Sequence, residues 1–173
     1  MVVQDLEKII TEYGKDIYSF CRHLACNVQE ADDLYQDTFL KAIEQCEKID
    51  GTETVKNYLL SIAVGLWKNR KRKYAWRARI APMESLSERE DLISQEEGEA
   101  LLEDDFLVKE EARIVRHQVM QLPDRLRICV LLFYMQELSV AEISDVLRIP
   151  SGTVKSRLHQ ARKQLKKDLE NMI

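Results

Sequence analysis

Apolar residues recur at three- and four-residue steps along most of the chain, and no stretch alternates with the period of a strand. Leu6, Ile9, Ile10, Tyr13, Ile17, Phe20, Cys21 and Leu24 predict a first amphipathic helix over roughly 3–25, with Asn27 at its end. Ala31, Leu34, Tyr35, Phe39, Ala42 and Ile43 predict a second helix over 30–45, whose acidic first turns suit the positive end of a helix dipole. After the turn signal Asp50-Gly51-Thr52, a third helix starts near Thr54 with Tyr58, Leu59, Ile62, Ala63 and Leu66, and runs on through Trp67 to Tyr74. Three helices of this length can enclose one small core.

The helical pattern stops near Pro82 and returns near Phe106. There Ile114, Val115, Val119 and Met120 form one stripe, and Pro123-Asp124 opens another helix carrying Leu126 to Met135. Ser139 to Leu147 predicts a short helix, with Glu142 placed three residues after Ser139 as in a capping box. Ile149-Pro150-Ser151-Gly152 breaks it. From Thr153 a last helix shows the seam Val154, Leu158, Ala161, Leu165 and Leu169. The expected fold is all-α, with two small helical domains and a helix-turn-helix in the second. The segment between them is too long for a bare loop inside one domain.

Charge sharpens this division. The 173 residues sum to a net charge of −4, yet residues 61–80 hold seven bases and no acid, and 81–111 hold 12 acids against two bases. Residues 112–173 hold 11 bases and six acids. Two basic blocks flanking an acidic linker suggest a polyanionic partner. The blander alternative is a set of solvated helix faces. No run is long and apolar enough to predict a membrane span, no cleavable leader is recognisable, and the four cysteines form no CxxC pattern, so a reducing cytoplasmic setting is expected.

A short helix, a tight turn and a longer basic helix make a DNA-reading arrangement, because a helix fits the major groove and its first turns can touch base edges. Lys155, Ser156, His159 and Gln160 lie away from the apolar seam and are the candidate base readers. Ser151, Thr153, Arg157, Arg162 and Lys163 are the candidate phosphate contacts. In the first block, Trp67, Tyr74 and Trp76 interleave with Lys68, Arg70, Lys71, Arg72 and Lys73, as a surface for exposed bases and backbone would. Trp67 is better read as closing the core. Cys21, His23 and Cys26 make a poor metal set, since Cys21 and Cys26 would stand about 140° apart on one helix. No nucleotide-binding, zinc-protease or serine-hydrolase motif occurs, so neither catalysis nor a cofactor is expected.

Two stretches carry a resemblance. One is Asp32-Asp33-Leu34-Tyr35-Gln36-Asp37-Thr38-Phe39-Leu40-Lys41-Ala42; the other runs from Leu122-Pro123 through Leu138-Ser139-Val140-Ala141-Glu142-Ile143 to Gly152-Thr153-Val154-Lys155-Ser156-Arg157. In this order and spacing they resemble the extracytoplasmic-function (ECF) sigma factors of the sigma-70 family of bacterial RNA polymerase. The resemblance implies a sigma-2 domain over 1–80, a linker over 81–109 and a sigma-4 domain over 110–173. It implies that Asp33, Gln36, Asp37 and Leu40 dock on core polymerase. It also implies that the loop Gln45–Lys56 captures a flipped −10 base, and that Lys56 and the basic tail of helix three hold the opened strand. Lys155, Ser156, His159 and Gln160 fall at the −35 recognition positions, and an anti-sigma factor is an expected partner. Tyr58, Gly65 and Asn69 depart from the tryptophan, asparagine and aspartate usual in the family, which bears on the −10 contacts. Two other functions fit parts of the chain. A stand-alone repressor leaves the 32–42 stretch unused, and a protein-interaction module makes the basic faces incidental.

Overall fold

A computed structural model describes residues 3–25, 27–45, 54–80 and 106–172, and every regular element among them is helical. The chain divides into two compact units, within Met1–Gln95 and Glu96–Ile173. The expected linker residues 81–105 and the expected base-capturing loop residues 46–53 lie outside the described residues, as does Cys26.

The first unit packs α1 (Val3–Leu24), α2 (Val28–Glu44) and α3 (Val55–Ile80). Ile17, Phe20, Cys21 and Leu24 of α1 meet Ala31, Leu34, Phe39 and Ala42 of α2 and Leu59, Leu60, Ala63 and Trp67 of α3 in one core. Each large side chain removed from water there contributes roughly 1.5–3 kcal/mol before ordering entropy is charged against it. The Tyr35 ring sits edge-on to both Tyr18 and Phe39, with centroids 5.4 and 5.0 Å away. Thr38 is fully buried and satisfies its hydroxyl by donating to the Leu34 carbonyl at 2.6 Å.

Three details differ from the sequence reading. Asn27 does not close α1; it is the N-cap of α2, accepting from the Glu30 amide at 2.7 Å. Ile10 and Ile43, expected in the apolar stripes, are exposed. Periodicity places a residue on a helix face, but a three-helix core is too small to cover the full width of every stripe.

Two glycines show opposite environments. A Cβ on Gly14 would stand 2.9 Å from the Tyr35 hydroxyl oxygen, so the tip of the Tyr35 side chain lies against α1 there. Gly65 lies in the middle of α3, exposed, with nothing within 4 Å of a Cβ. Gly65→Ala is therefore expected to stabilise the first unit by about 1 kcal/mol, through backbone entropy alone. Urea unfolding followed by circular dichroism measures this, and a decrease in stability would show an unseen constraint on α3.

The second unit comprises α4 (Phe106–Gln121), α5 (Asp124–Val130), a π-helical turn (Leu131–Met135), α6 (Val140–Leu147) and α7 (Ser151–Glu170). Helix α4 begins at Phe106, so residues 106–109, assigned to the linker from the sequence, are helical. Arg127 is buried where α4 gives way to α5; it donates to the Met120 carbonyl at 3.3 Å and pairs with Asp124 at 3.3 Å. The apolar run Leu126 to Met135 predicts one continuous α-helix, but its last turn widens. The Gln136 amide reaches back to the Leu131 carbonyl and the Leu138 amide to that of Leu132, both at 3.1 Å. Glu137, with φ of 57°, reverses the chain toward α6.

Candidate nucleic-acid and polymerase interfaces

Helix α6 starts as expected. Ser139 accepts from the Glu142 amide at 3.1 Å while Glu142 accepts from the Ser139 amide at 2.8 Å. It ends at Arg148, whose φ of 54° and ψ of 46° are left-handed, and the Ile149 amide folds back to the Ser144 carbonyl. The Ser144 hydroxyl donates to the Ile149 carbonyl, which fixes the turn. Pro150 then enters α7 with extended backbone and accepts the amides of Thr153 and Val154. The amides of Ser151 and Gly152 precede that ladder and point out of the helix N-terminus.

This frame settles the rotation of α7. Val154, Leu158 and Ala161 are buried, and Lys155, Ser156, His159 and Gln160 are exposed. A shallow depression lies beside the helix start, lined by Arg125, Gly152, Thr153, Ser156, Arg157 and Gln160. Arg125, from the first turn of α5, was not singled out by the sequence. Its only signal was a basic residue in the turn after Pro123, which becomes meaningful once α5 packs against α7. Of the candidate phosphate contacts, Ser151 and Lys163 are exposed and Thr153 and Arg157 half-buried. Arg162 is exposed; its Nε donates to the Tyr134 hydroxyl at 2.6 Å, and its guanidinium lies 5.6 Å from the Phe133 ring centre. It thus ties α7 to the π-helical turn.

In the first unit the structure separates the aromatic residues of the basic block. Trp67 is buried at 6% exposure and carries the Lys71 ammonium 4.8 Å above its ring. Tyr74 and Trp76 are 56% and 64% exposed. They sit on the far part of α3, where Arg72, Lys73, Arg77 and Arg79 are exposed as well. Arg72 donates to Asn69 at 2.9 Å, so the residue that departs from the family pattern holds a cation on its own helix. Tyr58 donates to Gln45 at 3.2 Å, joining α3 to the end of α2. Lys68 is half-buried, and Lys56 pairs with Asp16 of α1 at 3.4 Å. Arg70 pairs with Asp37 of α2.

On α2, Asp33, Gln36, Asp37 and Leu40 are all exposed and follow the three- and four-residue spacing of one face. Leu40 is an apolar side chain that leaves 58% of its surface exposed. Cys21 of α1 is fully buried, and burial pushes its thiol up to about 12, against a smaller lowering by Arg70. It remains a protonated core residue at neutral pH, a poor nucleophile and a poor metal ligand.

The comparisons with known proteins follow the same two-part division. The Sigma-70 region 2 family profile matches residues 9–77, and that of Sigma-70, region 4 matches residues 112–165. The ECF RNA polymerase sigma factor SigW of Bacillus subtilis is 33% identical over 169 residues, covering 95% of this chain and 88% of its own. The sigma factor RpoE of Bartonella quintana, solved with the anti-sigma factor NepR, superposes with a TM-score of 0.77 at 19% identity, over 97% of this chain and 98% of that one. CnrH, solved with the cytosolic domain of CnrY, gives 0.69 at 17% identity, over 97% and 89%.

Proposed function

The chain belongs to the ECF branch of the sigma-70 RNA polymerase sigma factors, and from that premise we propose how its residues divide the work of promoter recognition. The protein is a non-catalytic promoter-specificity subunit that binds core RNA polymerase and directs transcription initiation. Residues 1–80 act as the sigma-2 domain and 110–173, with the first turn of α4 from Phe106, as the sigma-4 domain, with 81–105 as an acidic linker. The observation that carries the reading is the rotation of α7. Its seam is packed inward, which leaves Lys155, Ser156, His159 and Gln160 for base edges of the −35 element. Ser151, Thr153, Arg157, Arg162 and Lys163 hold phosphates, joined by Arg125 at the helix start, with Tyr134 orienting Arg162 through its Nε.

The α2 face of Asp33, Gln36, Asp37 and Leu40 docks on core polymerase. Lys56, Lys68, Arg70, Lys71, Arg72 and Lys73 border the path of the opened −10 strand, and the exposed rings of Tyr74 and Trp76 extend it. Stacking on exposed bases offsets part of the cost of opening the duplex. Neither domain needs tight binding alone, because the tether raises the effective concentration of the second contact. RpoE and CnrH, which share this fold, were solved bound to an anti-sigma factor and to the cytosolic domain of CnrY, and an anti-sigma factor is the proposed inhibitor here as well. The proposed location is the cytoplasm. No helix among the described residues is long and apolar enough to cross a membrane.

Run-off transcription with core polymerase on genomic fragments tests the function and returns the promoter sequence; absence of any sigma-dependent transcript would reject it. The residue roles separate on that promoter. Lys155→Ala should change the preference at one base pair of the −35 element by about 1–3 kcal/mol, whereas Lys163→Ala should weaken all sequences alike and reduce the salt slope by about one. Binding titrations on a −35 substitution series, repeated over a range of salt, measure both. Equal effects of the two variants on every sequence would remove Lys155 from the reading set.

A further inference from the structure

Arg70 and Asp37 fall on different functional surfaces, yet they bind each other. The Arg70 guanidinium reaches from α3 to α2, where Nη2 donates to the Asp37 carboxylate and Nη1 to the Glu30 carbonyl at 3.4 Å. Arg72 is held by Asn69 and Lys71 by Trp67, both on their own helix. Arg70 is therefore a basic residue of the strand path whose charge is met by a carboxylate of the polymerase face. A guanidinium fork suits a carboxylate or a phosphate equally well, but the same N–H groups cannot serve both. The two side chains are 36% and 51% exposed, so the pair can exchange partners without opening the core.

We infer that the Asp37–Arg70 pair is an exchange switch coupling polymerase docking to capture of the opened strand. This rests on the assignment of α2 to polymerase and α3 to DNA. In the free protein Asp37 occupies Arg70. When a cationic group of the polymerase takes Asp37, Arg70 turns to a backbone phosphate of the single strand. Linkage makes the effect reciprocal: a bound strand that holds Arg70 leaves Asp37 open to polymerase. The free protein thus holds back one strand contact until it is docked.

The test is a double-mutant cycle on the intact chain, using a fluorescent dT20 single strand as probe. Asp37→Asn should raise strand affinity about fivefold at 0.1 M salt and steepen the salt dependence by about 0.7, the increment for one added phosphate contact. In an Arg70→Gln background the same substitution should change neither, since no guanidinium is left to release. A gain of equal size in both backgrounds would be a general effect of removing an acid and would overturn the switch, as would no gain in either. Asp37→Ser provides a second variant without the carboxylate, and thermal melting confirms that each variant is folded. Polymerase affinity is measured in parallel. If Asp37→Asn weakens polymerase binding but shows no cycle-specific strand effect, the switch fails and the docking assignment stands. If it leaves polymerase binding unchanged, the docking assignment fails and takes the switch with it.

Discussion

Leu158→Ala is expected to unfold the second unit and abolish sequence-specific binding to −35 DNA. Leu158 is 2% exposed and lies between Val154 and Ala161, both at 0%, in the seam that holds α7 against the rest of its unit. Removing a fully buried leucine side chain costs about 2–5 kcal/mol, because the transfer energy is lost and the surroundings collapse only partly. A domain of this size has roughly 3–10 kcal/mol of total stability, so the loss is of the same order as the whole. Hydrogen exchange should show the amides of α7 losing protection, and titration with promoter duplex should show no preference for the −35 sequence over random DNA. Lys155→Ala provides the contrast: its exposed side chain supports no packing, so it should alter base preference while the amides remain protected. A Leu158→Ala protein that kept both protection and sequence preference would mean that the seam does not orient the reading face.

The second large effect is expected at Leu40. Leu40→Asp should weaken binding to core polymerase by about 30-fold or more without lowering the stability of the free protein. At 58% exposure the Leu40 side chain contributes little to its own unit, so its replacement should stay within about 0.5 kcal/mol of the parent. At the centre of a docked face the same leucine is expected to carry about 2 kcal/mol or more, and an aspartate there adds an unpaired charge removed from water. Competition for core polymerase against the parent protein measures the first quantity, and urea unfolding the second. Unchanged competition would move the docking face off α2. Equal losses of binding and stability would make Leu40 a packing residue rather than a contact.

Much of the fold was legible because its local signals agree with one another. The Ser139–Glu142 box caps α6 as the sequence marks it and the seam from Val154 faces inward, but Ser151 and Gly152, read as part of the break, open α7, because Pro150 at the N-cap lets the helix start directly after it. Within the first unit the stripes marked most of the core, but Ile10 and Ile43 show the limit of periodicity, which gives direction without giving depth. The π-helical turn at Leu131–Met135 carried no sequence mark, since the same apolar residues suit an α-helix. The block Lys68 to Lys73 reads as one uniform basic stretch, yet Arg70 turns to Asp37, Lys71 lies over Trp67 and Arg72 is held by Asn69.

The chain's pattern alone determined that the protein is helical, where α6 is capped, and which face of the last helix is polar. These follow from interactions within a few residues: periodic burial, capping and turn geometry. Only the tertiary structure decided which charges remain available. The Asp37–Arg70 pair, the Arg162–Tyr134 bond and the burial of Trp67 beside the exposure of Trp76 join or separate side chains by packing helices together. The physical reason is that a side chain's charge and type are written at its own position, whereas the partner that neutralises or covers it arrives from a distant part of the chain.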